Sequence, residues 1–160
     1  MRKYRIYLET SLINYLYAPD TPEKMRDTWR LWHEIKEEKY DVIISDVVIA
    51  EINRCPNDDK KSKMFAELKQ IAYTLITAKD NLDAKKLAGD YIANGGLPPR
   101  CQVDALHIAV ASLADCDIIL SWNFKHIVKL RAMRAVEAVN SRELLKNIKI
   151  LSPTIFLGED

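Results

Sequence analysis

Short apolar runs alternate with longer helix-forming segments along the whole chain, and this alternation is the strongest constraint on its fold. The apolar runs lie at residues 4–8, 42–45, 72–77, 117–121 and 148–151. The run at 42–45 is apolar almost throughout, as expected for a parallel strand buried on both faces. We therefore predict an α/β fold with three layers (α/β/α) and a mostly parallel central sheet of four or five strands.

The segments between these runs have the spacing of amphipathic helices. Helices are predicted at residues 11–16, 23–39, 46–52, 60–70, 80–94, 101–114 and 124–140, with another short helix starting near 140–143. Gly95 and Gly96 follow the fifth of these helices and predict its C-terminal cap. Because no linker or repeat divides the sequence, we predict one domain over residues 1–160.

Composition indicates the cellular compartment that the chain suits. The chain has 160 residues, a formal net charge of +1 and three cysteines without the CxxC spacing of zinc or redox motifs. This cysteine pattern favours a reducing compartment, where Cys101 and Cys116 pack as small apolar side chains. No run approaches the roughly 20 apolar residues of a membrane span, and no signal-peptide pattern opens the sequence. The expected location is the cytoplasm.

One predicted helix carries an aspartate where an apolar side chain is expected. Residues 103–111 are apolar except for Asp104 and His107. A carboxylate at the edge of a core costs free energy unless a partner compensates its charge. Arg100, one turn earlier, is one possible partner; a capping role at the start of the helix is another, and a bound cation is the third.

Polar side chains at strand ends favour a bound cation as the partner of Asp104. Glu9 follows the first strand, Glu51 lies in the helix after the second, and Asn123 follows the fourth. Parallel sheets place their sites at the carboxyl ends of the strands, so these residues and Asp104 are expected to face one crevice. Two carboxylates about 5 Å apart repel by roughly 3 kcal/mol near a protein surface. Oxygen ligands of this kind suit Mg²⁺ or Mn²⁺ rather than Zn²⁺.

Four sequence segments together resemble the signature of PIN domains. They are residues 7–11 (YLETS), 44–51 (ISDVVIAE), 104–109 (DALHIA) and 120–126 (LSWNFKH). The resemblance implies a PIN-like fold and a Mg²⁺- or Mn²⁺-dependent ribonuclease, as in the VapC-type toxins of type II toxin–antitoxin pairs. It implies RNA as substrate, an antitoxin as a possible partner and a homodimer. It also places Glu9, Glu51, Asp104 and Asn123 at the catalytic, metal-binding positions.

Two of these positions differ from the usual pattern of the family, in which the first is an aspartate and the fourth is often one. Glu9 and Asn123 therefore motivate an alternative: a non-catalytic PIN-like module that binds RNA or a protein. Each also has a simpler interpretation, Glu9 as a partner of the next helix's amides and Asn123 as a turn residue. A phosphoacceptor receiver domain is disfavoured, because the first strand is followed by one acid rather than two.

Other residues have less specific signals. His107 lies three residues after Asp104 and is expected to be buried and bonded to backbone. Thr10, Ser11 and Asp46 are expected to cap helices. Alternatively, the hydroxyl of Thr10, Ser11 or Ser121 holds a metal-bound water. The basic residues of the segment from 124 either contact RNA phosphates or form a solvated helix face; they are Lys125, Lys129, Arg131 and Arg134. Trp29 and Trp32, one helical turn apart, predict an apolar face for the core or for dimerisation.

Overall fold

A five-stranded, fully parallel sheet forms the centre of the molecule. A computed structural model of the chain describes residues 2–158. The strands are β1 (Arg5–Leu8), β2 (Asp41–Ser45), β3 (Thr74–Ile76), β4 (Ile118–Leu120) and β5 (Lys149–Leu151). Their order in the sheet is β3-β2-β1-β4-β5. The predicted α/β class and strand positions are confirmed, with every strand parallel.

Helices cover both faces of the sheet. They are α1 (Thr10–Asn14), α2 (Pro22–Lys36), α3 (Asp46–Asn53), α4 (Asp58–Leu68), α5 (Leu82–Ala93), α6 (Gln102–Leu113), α7 (Leu130–Arg142) and α8 (Pro153–Leu157). Right-handed crossovers place α1–α4 on one face, because β1, β2 and β3 progress in one direction. The chain then returns past β1 to β4, so α5, α6 and α7 lie on the opposite face.

This reversal makes β1 and β4 neighbours at the topological switch point of the sheet. The two strands pair in register, Tyr7 with Ile119 and Leu8 with Leu120. Their carboxyl ends therefore lie side by side. The connections from these two ends run to opposite faces, which opens a crevice there.

The predicted helix at 124–140 is shorter than its sequence suggested, and α7 begins only at Leu130. Residues 123–128 form a turn, in which the carbonyl of Asn123 accepts from the amides of Ile127 and Val128. No separate helix starts at 140–143, because α7 continues through Arg142. The last residues of the sequence, from Pro153 onward, are expected at the surface, but Pro153 is buried at the start of α8. Residues 159–160 lie outside the described residues.

The two tryptophans of helix α2 contact other parts of the same chain. Trp32 is fully buried and donates a hydrogen bond to Glu67 at 3.1 Å. Trp29 donates to the carbonyl of Leu16 at 2.8 Å and packs edge-on against Tyr17. The core interpretation of this face is therefore the one the structure supports. Homodimerisation stays a prediction from the family resemblance. Within the described part of the chain, every helix falls short of the length and apolar character that a membrane crossing requires.

Candidate metal and active site

Glu9 directly follows β1 and is 5% exposed. One carboxylate oxygen accepts the amide of Ser11 at 3.0 Å, so Glu9 is the N-cap of α1. The other oxygen accepts the hydroxyls of Ser11 at 2.6 Å and Ser121 at 2.5 Å. The expected capping by Thr10 or Ser11 is thus wrong, because the longer Glu9 side chain reaches the helix amide first. The helix-amide role considered for Glu9 is present.

Glu51, on α3, is held by two donors from other parts of the chain. Its Oε1 atom accepts the Thr10 hydroxyl at 2.7 Å and lies 2.6 Å from Nε2 of His107. Burial raises the pKa of Glu51, but the hydrogen bond and charge of His107 outweigh it, so the pKa lies below its ordinary value. Burial likewise lowers the pKa of His107, yet the bond to Glu51 and the charge of Glu9 raise it overall. Both directions favour the charged pair.

His107 is completely buried and connects the crevice to the sheet. Its Nδ1 atom lies 2.7 Å from the hydroxyl of Tyr7, which lies 2.7 Å from the hydroxyl of Ser45. In the protonated ring both nitrogens donate, Nε2 to Glu51 and Nδ1 to Tyr7. The expected bond of His107 to backbone is wrong. Tyr7 and Ser45, on the adjacent strands β1 and β2, present hydroxyls that satisfy the ring.

Asp104 lies in the first turn of α6 and is half-buried. Burial raises its pKa, and the negative charge of Glu9 raises it further. Its ligand atom lies within 4.8 Å of those of Cys101 and His126. Arg100 forms no ion pair with it among residues 2–158. The Asp104 carboxylate also accepts no capping hydrogen bond at the start of α6 among residues 2–158. Neither Arg100 nor the helix amides therefore compensate its charge.

Asn123 follows β4 and adopts the turn role that its simpler interpretation predicts. Its side-chain oxygen accepts the amide of His126 at 2.9 Å, and its own amide donates to the Ser121 hydroxyl at 2.9 Å. Asp46, expected to cap α3, instead accepts the amide of Ala78 at 2.8 Å just after β3. Asp46 thus ties two neighbouring strand ends together rather than satisfying its own helix.

The fold brings the three predicted carboxylates towards one another from distant parts of the chain. Ligand atoms of Glu9, Glu51 and His107 all lie within 4.8 Å of one another. Asp104 joins them electrostatically, since the charges of Glu9 and Glu51 both raise its pKa. The His107 nitrogen is bonded to Glu51, so the carboxylate oxygens, which have further lone pairs, are the ligand atoms of this group. This donor set fits a hard divalent cation.

Sequence reasoning missed most of the residues that hold these carboxylates. His107 had a usable signal, because its i+3 spacing from Asp104 places both on neighbouring faces of α6. Tyr7 had none, since it lies in an apolar strand segment where burial alone explains it. Its partner His107 is 100 residues away along the chain, and only the folded topology shows the contact.

Comparison with known proteins adds information about the fold. No protein-family model matches the chain, and no curated protein sequence does so. Among solved structures, the chain is similar to Mycobacterium tuberculosis VapC20, described as a toxin that cleaves the sarcin–ricin loop. The two share a TM-score of 0.52 and 17% sequence identity, over 71% of this chain and 86% of that chain. With its parallel sheet and flanking helices, the chain therefore has a PIN-like fold.

Proposed function

We propose that this chain is a divalent-metal-dependent ribonuclease that hydrolyses RNA phosphodiester bonds. The observation that carries the proposal is the approach of Glu9 and Glu51, whose ligand atoms lie within 4.8 Å of each other. Asp104 is near enough for their charges to raise its pKa, after the larger effect of burial. Burial and the charge of Glu9 raise the pKa of Asp104, and a bound cation would oppose both effects by favouring the ionised carboxylate. The structural likeness to VapC20, a toxin that cleaves an RNA loop, supports the same activity.

The three carboxylates would hold Mg²⁺ or Mn²⁺. A bound ion of this kind lowers the pKa of water and neutralises charge on the phosphoryl transition state. Asn123 completes the proposed set as a further ligand or as a residue that positions water. Its side-chain oxygen already accepts the His126 amide, but an amide oxygen has a second lone pair for such a contact.

Residues around the carboxylates have a positioning role in this proposal. His107 and Thr10 fix the carboxylate of Glu51. Ser11 and Ser121 fix the carboxylate of Glu9. Such outer hydrogen bonds orient ligands before the ion arrives, so less ordering is needed when it binds. The buried Tyr7 behind His107 extends the same support into the sheet.

The substrate and partner follow from the chemistry of the crevice rim and from the resemblance. RNA is a polyanion and requires positive charge near an acidic site. Four exposed basic residues follow β4 and are proposed to contact RNA phosphates: Lys125, Lys129, Arg131 and Arg134. We further propose that the chain is the toxin of a type II toxin–antitoxin pair in the cytoplasm. A small antitoxin in a neighbouring reading frame would support this.

Cleavage of RNA by the purified chain tests the proposal. Wild-type protein should cleave single-stranded RNA with Mg²⁺ or Mn²⁺ and lose this activity in EDTA. Asp104→Asn should lower the rate by at least about a hundredfold, the scale seen when a positioned charged group is removed. Glu137→Gln, which alters an exposed carboxylate on α7, is the matched control and should leave the rate unchanged. Cleavage that Asp104→Asn leaves intact would refute the proposed site.

A non-catalytic module that binds RNA or protein is the second candidate, and a specific observation favours it. Both oxygens of Glu9 and the side-chain oxygen of Asn123 already accept hydrogen bonds within the chain. Ligation of an ion must compete with those donors. Calorimetric titration with Mn²⁺ separates the two candidates, because binding below millimolar concentration supports the enzyme and its absence supports the module.

A further inference from the structure

A second group of metal-ligating side chains lies beside the acidic crevice. It consists of Cys101, Asp104 and His126, whose ligand atoms all lie within 4.8 Å of one another. The group offers a sulfur, an oxygen and a nitrogen, whereas the ligand atoms of the proposed crevice site are oxygens. This difference in chemistry predicts a different ion.

Local structure brings the three side chains together. Cys101 is the N-cap residue of α6 and Asp104 lies three positions later, so one face of the first turn presents both. His126 comes from the turn after β4. That turn is fixed by the hydrogen bond between the side-chain oxygen of Asn123 and the backbone amide of His126. Because the bond uses backbone, the imidazole of His126 is available for a ligand.

The Cys101 thiol supplies an independent reason to expect a ligand. Its residue is 8% exposed, and within residues 2–158 the thiol forms no hydrogen bond. By contrast, the more exposed Cys55 thiol donates to the carbonyl of Asn57. Cys101 therefore places a buried sulfur without a polar partner beside a carboxylate and an imidazole.

We propose that Cys101, Asp104 and His126 form a binding site for Zn²⁺. Zinc prefers thiolate, imidazole and carboxylate ligands in a tetrahedral arrangement, which places ligand atoms roughly 3.3–3.7 Å apart. Side-chain rotation of about 1 Å brings the three atoms to that spacing. Binding releases the thiol proton to solvent and forms the zinc–sulfur bond, with water in the fourth position. The partly exposed Asp104 and His126 leave that position open to solvent.

Sharing of Asp104 couples this site to the acidic crevice. An Asp104 carboxylate that ligates zinc is withdrawn from the Mg²⁺ or Mn²⁺ set, so the two ions compete. This consequence rests on the proposed ribonuclease site, but zinc binding itself does not. The thiolate makes the second site selective for zinc, because Mg²⁺ avoids sulfur ligands.

Cobalt absorption tests the site directly in the full chain. Co²⁺ replaces zinc at thiolate sites and gives a thiolate-to-cobalt charge-transfer band. Wild-type protein should show this band, and equimolar Zn²⁺ should abolish it. Cys101→Ser should remove the band, and His126→Ala should weaken Co²⁺ binding at least about tenfold. Cys55→Ser and Cys116→Ser are matched controls that should keep the band.

Circular dichroism of each variant ensures that a lost band reflects a lost ligand. If Cys101→Ser fails to fold, His126→Ala decides, because its side chain is partly exposed. A wild-type chain without the band, a band that Zn²⁺ does not displace, or undiminished binding by His126→Ala would overturn the zinc site. No RNA enters this measurement, so its failure and the failure of the ribonuclease proposal are distinguishable.

Discussion

At the scale of single residues, Asp117 shows how one carboxylate stabilises the end of the sheet opposite the candidate site. It accepts the backbone amide of Arg5 at 2.8 Å, lies 2.8 Å from the Lys146 ammonium and accepts a bond from Arg2 at 3.1 Å. Although burial opposes the charge of Asp117, these partners lower its pKa from 3.8 to about 2. They stabilise the folded state only while Asp117 is ionised.

The pH dependence of stability follows from the sign of that shift. The contribution of Asp117 is fully present above pH 3.8 and is lost as the pH falls through about 2. Asp117→Asn should therefore lower the free energy of unfolding by about 1–2 kcal/mol at pH 7, allowing for solvent screening. In urea titrations the difference from wild type should disappear near pH 2. Asp115→Asn, which alters an exposed neighbour 3.9 Å from Lys146, is the control and should change little. An equal effect of both variants would contradict this account.

Residue identity alone predicted which side chains carry charge at strand ends, but not what holds them. The bonds of Glu51 to Thr10 and His107, and the bond of Glu9 to Ser121, join segments that are 41 to 112 residues apart. Asn123 was predicted both as a ligand and as a turn residue, and its contact with His126 shows only the second role. The ligand roles of the four residues stay predictions.

At the scale of elements, a glycine sets how closely α5 and α7 approach. A Cβ atom on Gly96, just after α5, would lie 2.6 Å from the Cβ of Ala135 and 3.1 Å from the carbonyl of Tyr91. Gly96→Ala should therefore force the helices apart and cost about 1–3 kcal/mol of stability. Urea unfolding measures the loss as a lower midpoint with an unchanged slope.

Gly89, inside α5, provides the matched control. A Cβ atom on it would meet nothing within 4 Å. Gly89→Ala should therefore stabilise the protein by about 0.5–1 kcal/mol, because alanine loses less backbone entropy in a helix. The free energy of unfolding is expected to fall in Gly96→Ala and to rise in Gly89→Ala. If Gly96→Ala also stabilised the chain, the close approach of the two helices would not hold.

Element boundaries show where local pattern is sufficient. The five strands and the glycine cap of α5 follow from apolar runs and from Gly95, whose φ of 78° suits glycine. The start of α7 does not follow from the local sequence, because residues 124–129 also have a helical composition. Hydrogen bonds that Asn123 accepts from their backbone amides fold them into a turn instead. Tertiary position at the end of β4 thus overrides local propensity.

At the scale of the whole molecule, strand order decides where the site lies. Alternation of strands and helices predicted a parallel sheet and a site at the carboxyl ends of its strands, but it did not fix which strands are neighbours. The order β3-β2-β1-β4-β5 places β1 beside β4, although 109 residues lie between Leu8, which ends β1, and Ile118, which begins β4. At the ends of the two strands, the carbonyl of Leu120 accepts the amide of Glu9. This long-range pairing creates the crevice that Glu9 and Asn123 share.

Concentration of negative charge in that crevice should oppose the stability of the fold as a whole. Burial and the charges of Glu9 and Glu51 raise the pKa of Asp104. A carboxylate whose folded pKa is raised destabilises the folded state once it is ionised, so the penalty is present at pH 7. Without divalent ions, Asp104→Asn should therefore be more stable than wild type by about 1 kcal/mol, the order of partly screened charge repulsion.

Divalent ions should make wild type more stable than Asp104→Asn. An ion that binds only the folded state stabilises it by about 1.4 kcal/mol when its concentration is ten times Kd. Thermal unfolding in EDTA and in a Mn²⁺ series should show wild type gaining stability while Asp104→Asn gains much less. Glu137→Gln should follow wild type throughout, since that side chain is exposed on α7. A wild-type chain more stable than Asp104→Asn in EDTA would mean that Asp104 already has a stabilising partner within the protein. The crevice would then be a structural polar cluster, because neither repulsion nor an ion would be needed to account for Asp104.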